Sequence, residues 1–326
     1  MKVLCSPNAY KGTLTALEAA KAMARGVKRA GGRPVLLPVA DGGDGTAAVL
    51  GGRPVQMTAT GPYGERLRVE YRRKGREAIV EVAQVGLART GRREPAIATS
   101  VGVAEMIRHA AERGAGRIVV ALGGSASIDA GAGLLAGLSE LAKRPRMVAA
   151  CDVSTRFMDA PRRFGPQKGA TPADVRDLEK YFRGIVRIPG GRRAARLPGS
   201  GAAGGIGWAL ALLGAELRPG AAFVLDALRF DDALRQCDFV LTGEGKWDAT
   251  TREGKAPGEV MRRARRAGVP CVALCGSVRE RAQGVVAIAR SARAGMRDPA
   301  RLLEEAAFRE THSRLRSGPG SGKVKR

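Results

Sequence analysis

The chain has 326 residues, 44% of them hydrophobic, and a formal net charge of +25. That length supports two domains with sizeable cores or one large α/β unit, and the mixture of apolar and charged residues is that of a soluble globular protein rather than a disordered one. No apolar run approaches the ~18 residues of a membrane span, and Val3, Leu4 and Cys5 ahead of Ser6-Pro7 are too short for a signal-peptide core.

In chain order, strand-type runs alternate with helical patterns. KVLCS (2–6) leads through a polar turn to a helix at about 16–30. Its start is marked by Thr15 and Glu18 at capping-box spacing. The next extended runs are RPVLLPVA (33–40), RVEYR (68–72) and AIVEVA (78–83), followed by a helix from Thr99 to Arg113. RIVVALGG (117–124) runs into a Gly/Ser turn and another helix. MVAACDV (147–153) is strand-like, and Thr171-Pro172-Ala173-Asp174 is a helix start. The last third supplies CDFVLTG (237–243), a helix near 257–267, and VPCVALCG (269–276). Strands spaced by helices predict an α/β fold with parallel or mixed sheets covered on both faces. Doubly wound-like ends flank a middle with paired strands at 68–83, which points to a discontinuous domain with an insertion.

Ligands of such folds sit where strands end and glycine-rich turns begin. Five segments have that character: SPNAYKGTL (6–14), VADGGDGT (39–46), LGGSASIDAGAG (122–133), FGPQKGA (164–170) and TGEGKWDATTREGKAP (242–257). Each combines small residues, which let a ligand approach the backbone, with Lys or Asp. Backbone N–H groups and Lys suit phosphate oxygens, and carboxylates suit hydrated Mg²⁺.

Other chemistries fit less well. G-x-x-x-x-G-K-[ST] is absent, so this is not an ordinary P-loop. His109 and His312 are the only two histidines, which supplies a Ser-His-Asp triad poorly, and His109 in MIRHAAER reads as an ordinary helix residue. LPGSGAAGGIGWAL carries G-x-G-x-x-G at Gly199, Gly201 and Gly204, with Asp226 at the end of a later apolar run. It follows RRAARLP rather than an apolar strand, so the context of a dinucleotide fingerprint fails, and Asp226 reads as a strand-end or helix-start residue. The five cysteines, an odd number, argue against a disulfide framework and fit a reducing cytoplasm. Cys271 and Cys275 read as buried small hydrophobes. The basic residues, 44 Arg and 12 Lys, are spread along the chain with only 13 aromatic residues, which favours solvated faces and anionic small substrates over specific nucleic-acid binding.

The ordered set PNAYKGTL, P-x-ADGG-D-GT, ATS (98–100), ALGGSASIDAGAGLL, ACDV, FGPQKGA, PGSGAAGGIG, and TGEG-KWD followed by GKAP resembles the type I glycerate kinases, collinearly from Met1 to Val278. The resemblance implies transfer of the ATP γ-phosphate to D-glycerate with Mg²⁺, usually giving 2-phosphoglycerate. It also implies two α/β domains, a flavodoxin-like (doubly wound) one from both chain ends (1–55 plus 225–312) and one inserted in the middle (56–224). The glycine-rich basic tail, 313–326, is expected to be disordered.

Phosphoryl transfer needs an in-line hydroxyl, cations along the phosphates, and a carboxylate to take or orient the hydroxyl proton. Lys11 is the leading cation, with Asn8 a hydrogen-bonding residue of the same loop. Asp41 and Asp44, with Gly42 and Gly43 between them, are candidates to hold Mg²⁺ or to orient glycerate hydroxyls. Gly123, Gly124, Ser125 and Ser127 would cradle anionic oxygens at a helix N-terminus, with Asp129 a candidate base or metal ligand. Lys168 with Gln167 is a further anion contact, and Asp152 and Arg156 could face the substrate. Gly201, Gly204 and Gly205 are expected in a small-residue loop and helix start where backbone packs close, against glycerate or phosphate. Glu244 and Asp248 are carboxylate candidates and Lys246 a charge neutraliser; Asp129 and Asp248 stay open as the proton acceptor.

Against the family pattern, Asn8 and Ala9 stand where Asp and Ser are usual. Ile128 and Ala130 flank Asp129 in place of polar or glycine residues, and Ile128 is expected to narrow or dry the site. A kinase of the same fold acting on another small hydroxy acid, or a non-catalytic basic relative, are the alternatives. A cytoplasmic protein with no membrane partner is expected, and a homodimer is left open.

Overall fold

The computed structural model describes residues 1–317 other than 140, 142, 143, 249, 250, 252, 253, 281 and 290; residues 318–326 lie outside the described residues. Its strands are β1 (Lys2–Cys5), β2 (Arg33–Leu36), β3 (Arg53–Thr60), β4 (Arg66–Lys74), β5 (Glu77–Glu81), β6 (Arg117–Ala121), β7 (Arg146–Cys151) and β8 (Glu216–Pro219). The C-terminal third adds β9 (Phe239–Thr242), β10 (Lys246–Trp247), β11 (Cys271–Cys275), β12 (Ser277–Val278) and β13 (Val285–Ala287). The chain divides into two compact units, Met1–Ala40 with Val224–Arg326, and Asp41–Phe223.

The first unit is built on a five-stranded parallel sheet ordered β13-β11-β9-β1-β2. Numbered within the unit, this is the flavodoxin-like doubly wound order 2-1-3-4-5. β1 and β9 are central strands, so both faces must be apolar, and Val3, Leu4, Phe239, Val240 and Leu241 are all fully buried. The Ala16–Arg29 helix begins where the sequence predicts: Thr15 Oγ1 accepts from the Glu18 N–H and Glu18 Oε2 accepts from the Thr15 N–H. It buries Ala19, Ala20, Met23 and Val27 and packs against the Pro299–Ser317 helix. Gly26 permits that approach, because a Cβ there would lie 2.1 Å from the Glu304 carbonyl oxygen. The Pro299–Ser317 helix corrects the expected tail: residues 313–317 are helical, and only 318–326 fall outside the described residues.

The second unit has a six-stranded mixed sheet ordered β3-β4-β5-β6-β7-β8. β3, β4 and β5 pair antiparallel, and β5 to β8 pair parallel. Here the boundary differs from the expected 55/56. β3 pairs with β4 along Arg53 to Thr60, and the Ala47 N–H donates to Glu81 Oε1 at 2.8 Å, so residues 41–55 belong to the second unit. The main aromatic core stacks Phe157 between Phe182 and Trp208, at centroid distances of 4.4 and 4.5 Å. The Gly220–Ala227 helix takes the run AAFVLD, and Asp226 Oδ1 accepts from Arg263 NH2 at 2.7 Å, which gives it a partner within the protein rather than a ribose.

All five cysteines are free thiols, and burial pushes Cys5, Cys151, Cys271 and Cys275 up to about 12, which leaves them inert at neutral pH. Among the described residues, no helix is long and apolar enough to cross a membrane.

Candidate active site

In an open α/β sheet the ligand crevice forms at the carboxyl ends of the strands where the strand order reverses. In the first unit that point lies between β1 and β9. The loops leaving these strands are tied together: the Ser6 N–H donates to the Leu241 carbonyl (2.7 Å), the Asn8 N–H to the Gly243 carbonyl (2.9 Å), and Thr242 Oγ1 to the Ser6 carbonyl (2.8 Å). Asn8 is buried and its Oδ1 accepts from the Ala9 N–H at 2.8 Å, so it shapes the loop. Gly243, at φ +155°, has no room for a side chain: a Cβ would sit 1.8 Å from the Leu274 carbonyl oxygen. Lys11 is exposed at the tip of the first loop, with its backbone nitrogen 3.4 Å from where a Cβ of Gly245 would stand.

The second loop carries the charges. Lys246 Nζ pairs with Asp248 Oδ2 at 2.6 Å, and Lys255 Nζ lies 3.9 Å from Asp248 Oδ1. Glu244 is buried and accepts from the buried Thr251 Oγ1 at 2.6 Å. Asn8, Lys11, Glu244, Lys246 and Asp248 are therefore gathered at the carboxyl ends of the central strands β1 and β9. Thr251 and Lys255 belong with them, although no motif argument assigns either a role; GKAP is the sequence signal that holds Lys255.

In the second unit, three glycine-bearing loops meet at the carboxyl ends of β6 and β7. The Gly123 N–H donates to the Gly42 carbonyl at 3.2 Å, and a Cβ on Gly123 would lie 2.5 Å from the Gly43 Cα and 3.3 Å from Asp152 Oδ2. Asp41, Gly42, Gly43, Gly123 and Asp152 are thus close neighbours. Gly42, at φ +89°, abuts the Ala150 carbonyl oxygen, which would lie 2.7 Å from a Cβ on this residue. Asp41 Oδ1 accepts from the Gly43 N–H at 3.3 Å, and Asp44 is exposed. No group of three or more metal-ligating side chains exists among the described residues. Two carboxylates on one turn fit a Mg²⁺ ion that takes its remaining ligands from water and phosphate.

Glu81 at the end of β5 supports the site from beneath and is not singled out by the motifs, although an acid inside the apolar run AIVEVA is its signal. It is buried, accepts from the Ala47 N–H, and anchors the Asp41–Thr46 turn. Burial raises its pKa, the charge of Asp44 adds to that, and hydrogen bonds from Ala47, Gln84 and Gly45 oppose it.

Asp129 has a different task from the one its motif suggests. Oδ2 accepts from the Ser100 N–H (2.8 Å), Ser100 Oγ (2.6 Å) and the Gly133 N–H (3.2 Å), and Oδ1 from the Gly131 N–H (3.1 Å). A carboxylate offers about four acceptor positions; three of the donors fall on Oδ2 and one on Oδ1, so Oδ2 is the oxygen given over to the protein. That geometry makes Asp129 a bracket joining the starts of the Val101–Glu112 and Ala132–Leu138 helices. A cavity of about 350 Å³ opens beside it, lined in part by Ile128, Asp174, Asp177 and Tyr181. Its three carboxylates, Asp129 included, disfavour an anionic ligand there. Ile128 is fully buried in the core of the unit and forms part of the apolar wall of that cavity.

FGPQKGA, expected as a loop, is the end of the Ala160–Lys168 helix, closed by Gly169 at φ +101°. The helix C-terminus favours a cation, and it carries Lys168 into the interior, 4% exposed. Lys168 Nζ donates to Ser125 Oγ at 2.6 Å and to the Ser127 carbonyl at 2.8 Å. Burial lowers its pKa from 10.5 to about 7, partly offset by the charges of Asp129 and Asp152. Ser125 and Ser127 are buried with it, Gly124 is exposed, and Gln167 is exposed with its carbonyl accepting from Arg93 NH1.

Gly201, Gly204 and Gly205 do not line an open loop. A Cβ on Gly204 would meet the Ser127 carbonyl oxygen at 2.1 Å, one on Gly205 the Ala130 Cα at 2.6 Å, and one on Gly201 the Arg156 carbonyl at 2.4 Å. The Ala130 N–H donates to the Gly204 carbonyl at 3.1 Å. These glycines let one backbone press on the 127–131 loop from behind, which holds Ser127 in place.

A family model described as the glycerate kinase family matches residues 3–141 and 137–317. A glycerate kinase of Bacillus subtilis is 35% identical, with 85% of each chain covered. A glycerate 2-kinase of Escherichia coli is 32% identical over 85% of this chain and 86% of its own. The crystal structure of a protein titled putative glycerate kinase 2, from Salmonella typhimurium, superposes with a TM-score of 0.81 at 31% identity, covering 98% of this chain and 99% of that one.

Proposed function

The chain belongs to the glycerate kinase family, and from that premise we propose that it transfers the γ-phosphoryl group of Mg-ATP to the C2 hydroxyl of D-glycerate, giving ADP and 2-phosphoglycerate. In the reaction the hydroxyl oxygen forms the new P–O bond as the bond from phosphorus to the ADP oxygen breaks. The protein's work is positioning and charge stabilisation. Lys11 and Lys246 neutralise phosphate oxygens, with Asp248 holding Lys246 in reach and Glu244 and Asn8 fixing the loops that carry them. The backbone of Gly123 and Gly124, with Ser125 and Ser127, receives anionic oxygens, and Asp152 orients a substrate hydroxyl. Lys168, buried beneath this loop, holds Ser125 Oγ and the Ser127 carbonyl in place. Asp41 and Asp44 would hold Mg²⁺, which when bound supplies positive charge against the phosphate oxygens.

The observation that supports this reading most is the joining of the β1 and β9 loops at the switch point, where Lys11 and the Lys246–Asp248 pair stand together. A cytoplasmic setting and anionic small-molecule partners without specific nucleic acid agree with the spread of positive charge, which draws anionic substrates. The test is ADP release by the purified chain with Mg-ATP across a panel of small hydroxy acids. D-glycerate is expected to give the highest kcat/KM; a different acid at the top overturns the substrate assignment.

A further inference from the structure

As its oxygen bonds to phosphorus the glycerate hydroxyl needs a proton acceptor, and the two carboxylates put forward for that task each hold partners of the protein. Asp129 has four donors on its two oxygens, and Asp248 lies between Lys246 and Lys255. A hydroxyl and an amine are paired at Lys168, whose Nζ lies 2.6 Å from Ser125 Oγ within the loop assigned to the substrate's anionic oxygens. We propose that Ser125 and Lys168 together accept the proton, Ser125 Oγ meeting the glycerate hydroxyl and Lys168 Nζ receiving the proton at the end of the relay. The inference rests on the glycerate-kinase reading above.

The chemistry balances without any co-reactant. Lys168 begins as a neutral amine with a lone pair directed at Ser125. The glycerate hydroxyl gives its proton to Ser125 Oγ as its oxygen bonds to phosphorus, and Ser125 gives its own proton to Lys168, which ends as an ammonium. Serine is unchanged overall, and the proton leaves Lys168 to solvent after release of the products. The drawn contact has the ammonium donating to Ser125 Oγ; after deprotonation the same short contact works in reverse. The surroundings favour this. Lys168 is buried on the last turn of its helix, its second hydrogen bond to the Ser127 carbonyl fixes its direction, and no carboxylate among the described residues forms an ion pair with it. Burial puts its titration at about 7, and the two charged groups acting on it, Asp129 and Asp152, both hold the proton more tightly and keep that value from falling lower. A lysine that exchanges its proton near neutrality suits general-base work.

The experiment uses the full chain with Mg-ATP and D-glycerate, following kcat from about pH 6 to about pH 9, with lysine ¹³Cε NMR in parallel. The Lys168 resonance is identified by its absence from Lys168→Arg. In the parent, kcat is expected to rise with pH along an acidic limb whose midpoint matches the NMR titration, near neutrality. Lys168→Arg keeps a cation but cannot give up its proton, so kcat is expected to fall by about 10²-fold or more with KM for glycerate little changed, and the limb to vanish. A kcat for Lys168→Arg close to the parent's, or an unchanged kcat with a raised KM, overturns the proposal and leaves Lys168 a charge contact. Should Lys168→Arg fail to fold, Ser125→Ala decides: a drop in kcat of about tenfold or more is expected, and a parental rate overturns the relay. Absence of any glycerate turnover by the parent would sink the glycerate reading instead. A Lys168 resonance titrating as an ordinary solvated lysine overturns the relay, whatever the substrate.

Discussion

Asp129 shows how a motif residue can be legible while its work is not. The SIDAG turn marks it as a functional aspartate, yet its oxygens are used by Ser100, Gly131 and Gly133, residues up to 29 positions away. Asp129→Ala leaves these donors unpaired inside the unit, and charge-assisted hydrogen bonds are worth about 1.5–3 kcal/mol each. Urea unfolding is expected to show a stability loss of about 3 kcal/mol or more; an unchanged midpoint would contradict the bracket role. Lys168 is legible as a lysine in a GPQKG motif, but its burial is not, because Ser125 and Ser127 reach it from 43 and 41 residues away. Its folded pKa, about 7, lies below the ordinary lysine value of 10.5. Between those values the unfolded chain binds the extra proton, so this group's contribution to stability grows as pH rises from about 7 and is least favourable below it. The difference in stability between the parent and Lys168→Met should change with pH across that window; a difference that is flat there contradicts a buried, titrating amine.

At the scale of elements, the clearest sequence signals are local ones. The Thr15–Glu18 and Thr171–Asp174 capping boxes start helices where predicted, since each motif closes its own hydrogen bonds within four residues. β3 carries the polar/apolar alternation of an edge strand, but RPVQMTAT has no apolar run to mark it and Pro54 near its start reads as a breaker, so its pairing with β4 is what reveals it. FGPQKGA looks like a loop because Gly165, Pro166 and Gly169 are turn formers locally, while the helix they end is held by packing elsewhere. The glycines of PGSGAAGG are legible as a place where backbone packs close, but their neighbours, the 127–131 loop and the Arg156 carbonyl, are not, because these lie far away in the chain. Phe157 gives this packing a measurable test. It is stacked between Phe182 and Trp208, which come from the Pro172–Ile185 and Ile206–Leu212 helices. Phe157→Ala should cost about 3–5 kcal/mol, the range for removing a buried aromatic; a cost under about 1 kcal/mol would mean the stack carries little of the unit's stability.

For the molecule as a whole, the alternation of strands and helices is enough to predict an α/β fold, and the sheets bear it out. The first unit's parallel pairing of β1 with β2 needs a crossover, which the Ala16–Arg29 helix supplies, while β9 joins β1 on its other side only after the whole second unit has intervened. The second unit's start at Asp41 depends on pairings that no local pattern displays, such as the Ala47 N–H donating to Glu81. Family membership places the chain among enzymes that phosphorylate glycerate, and the loops at the strand ends supply the charges that such chemistry requires. The most direct test is a ³¹P NMR time course of the purified chain with Mg-ATP and D-glycerate. The account predicts loss of the γ-phosphate resonance with matching growth of ADP and 2-phosphoglycerate; ATP left intact, or 3-phosphoglycerate as the product, would contradict it.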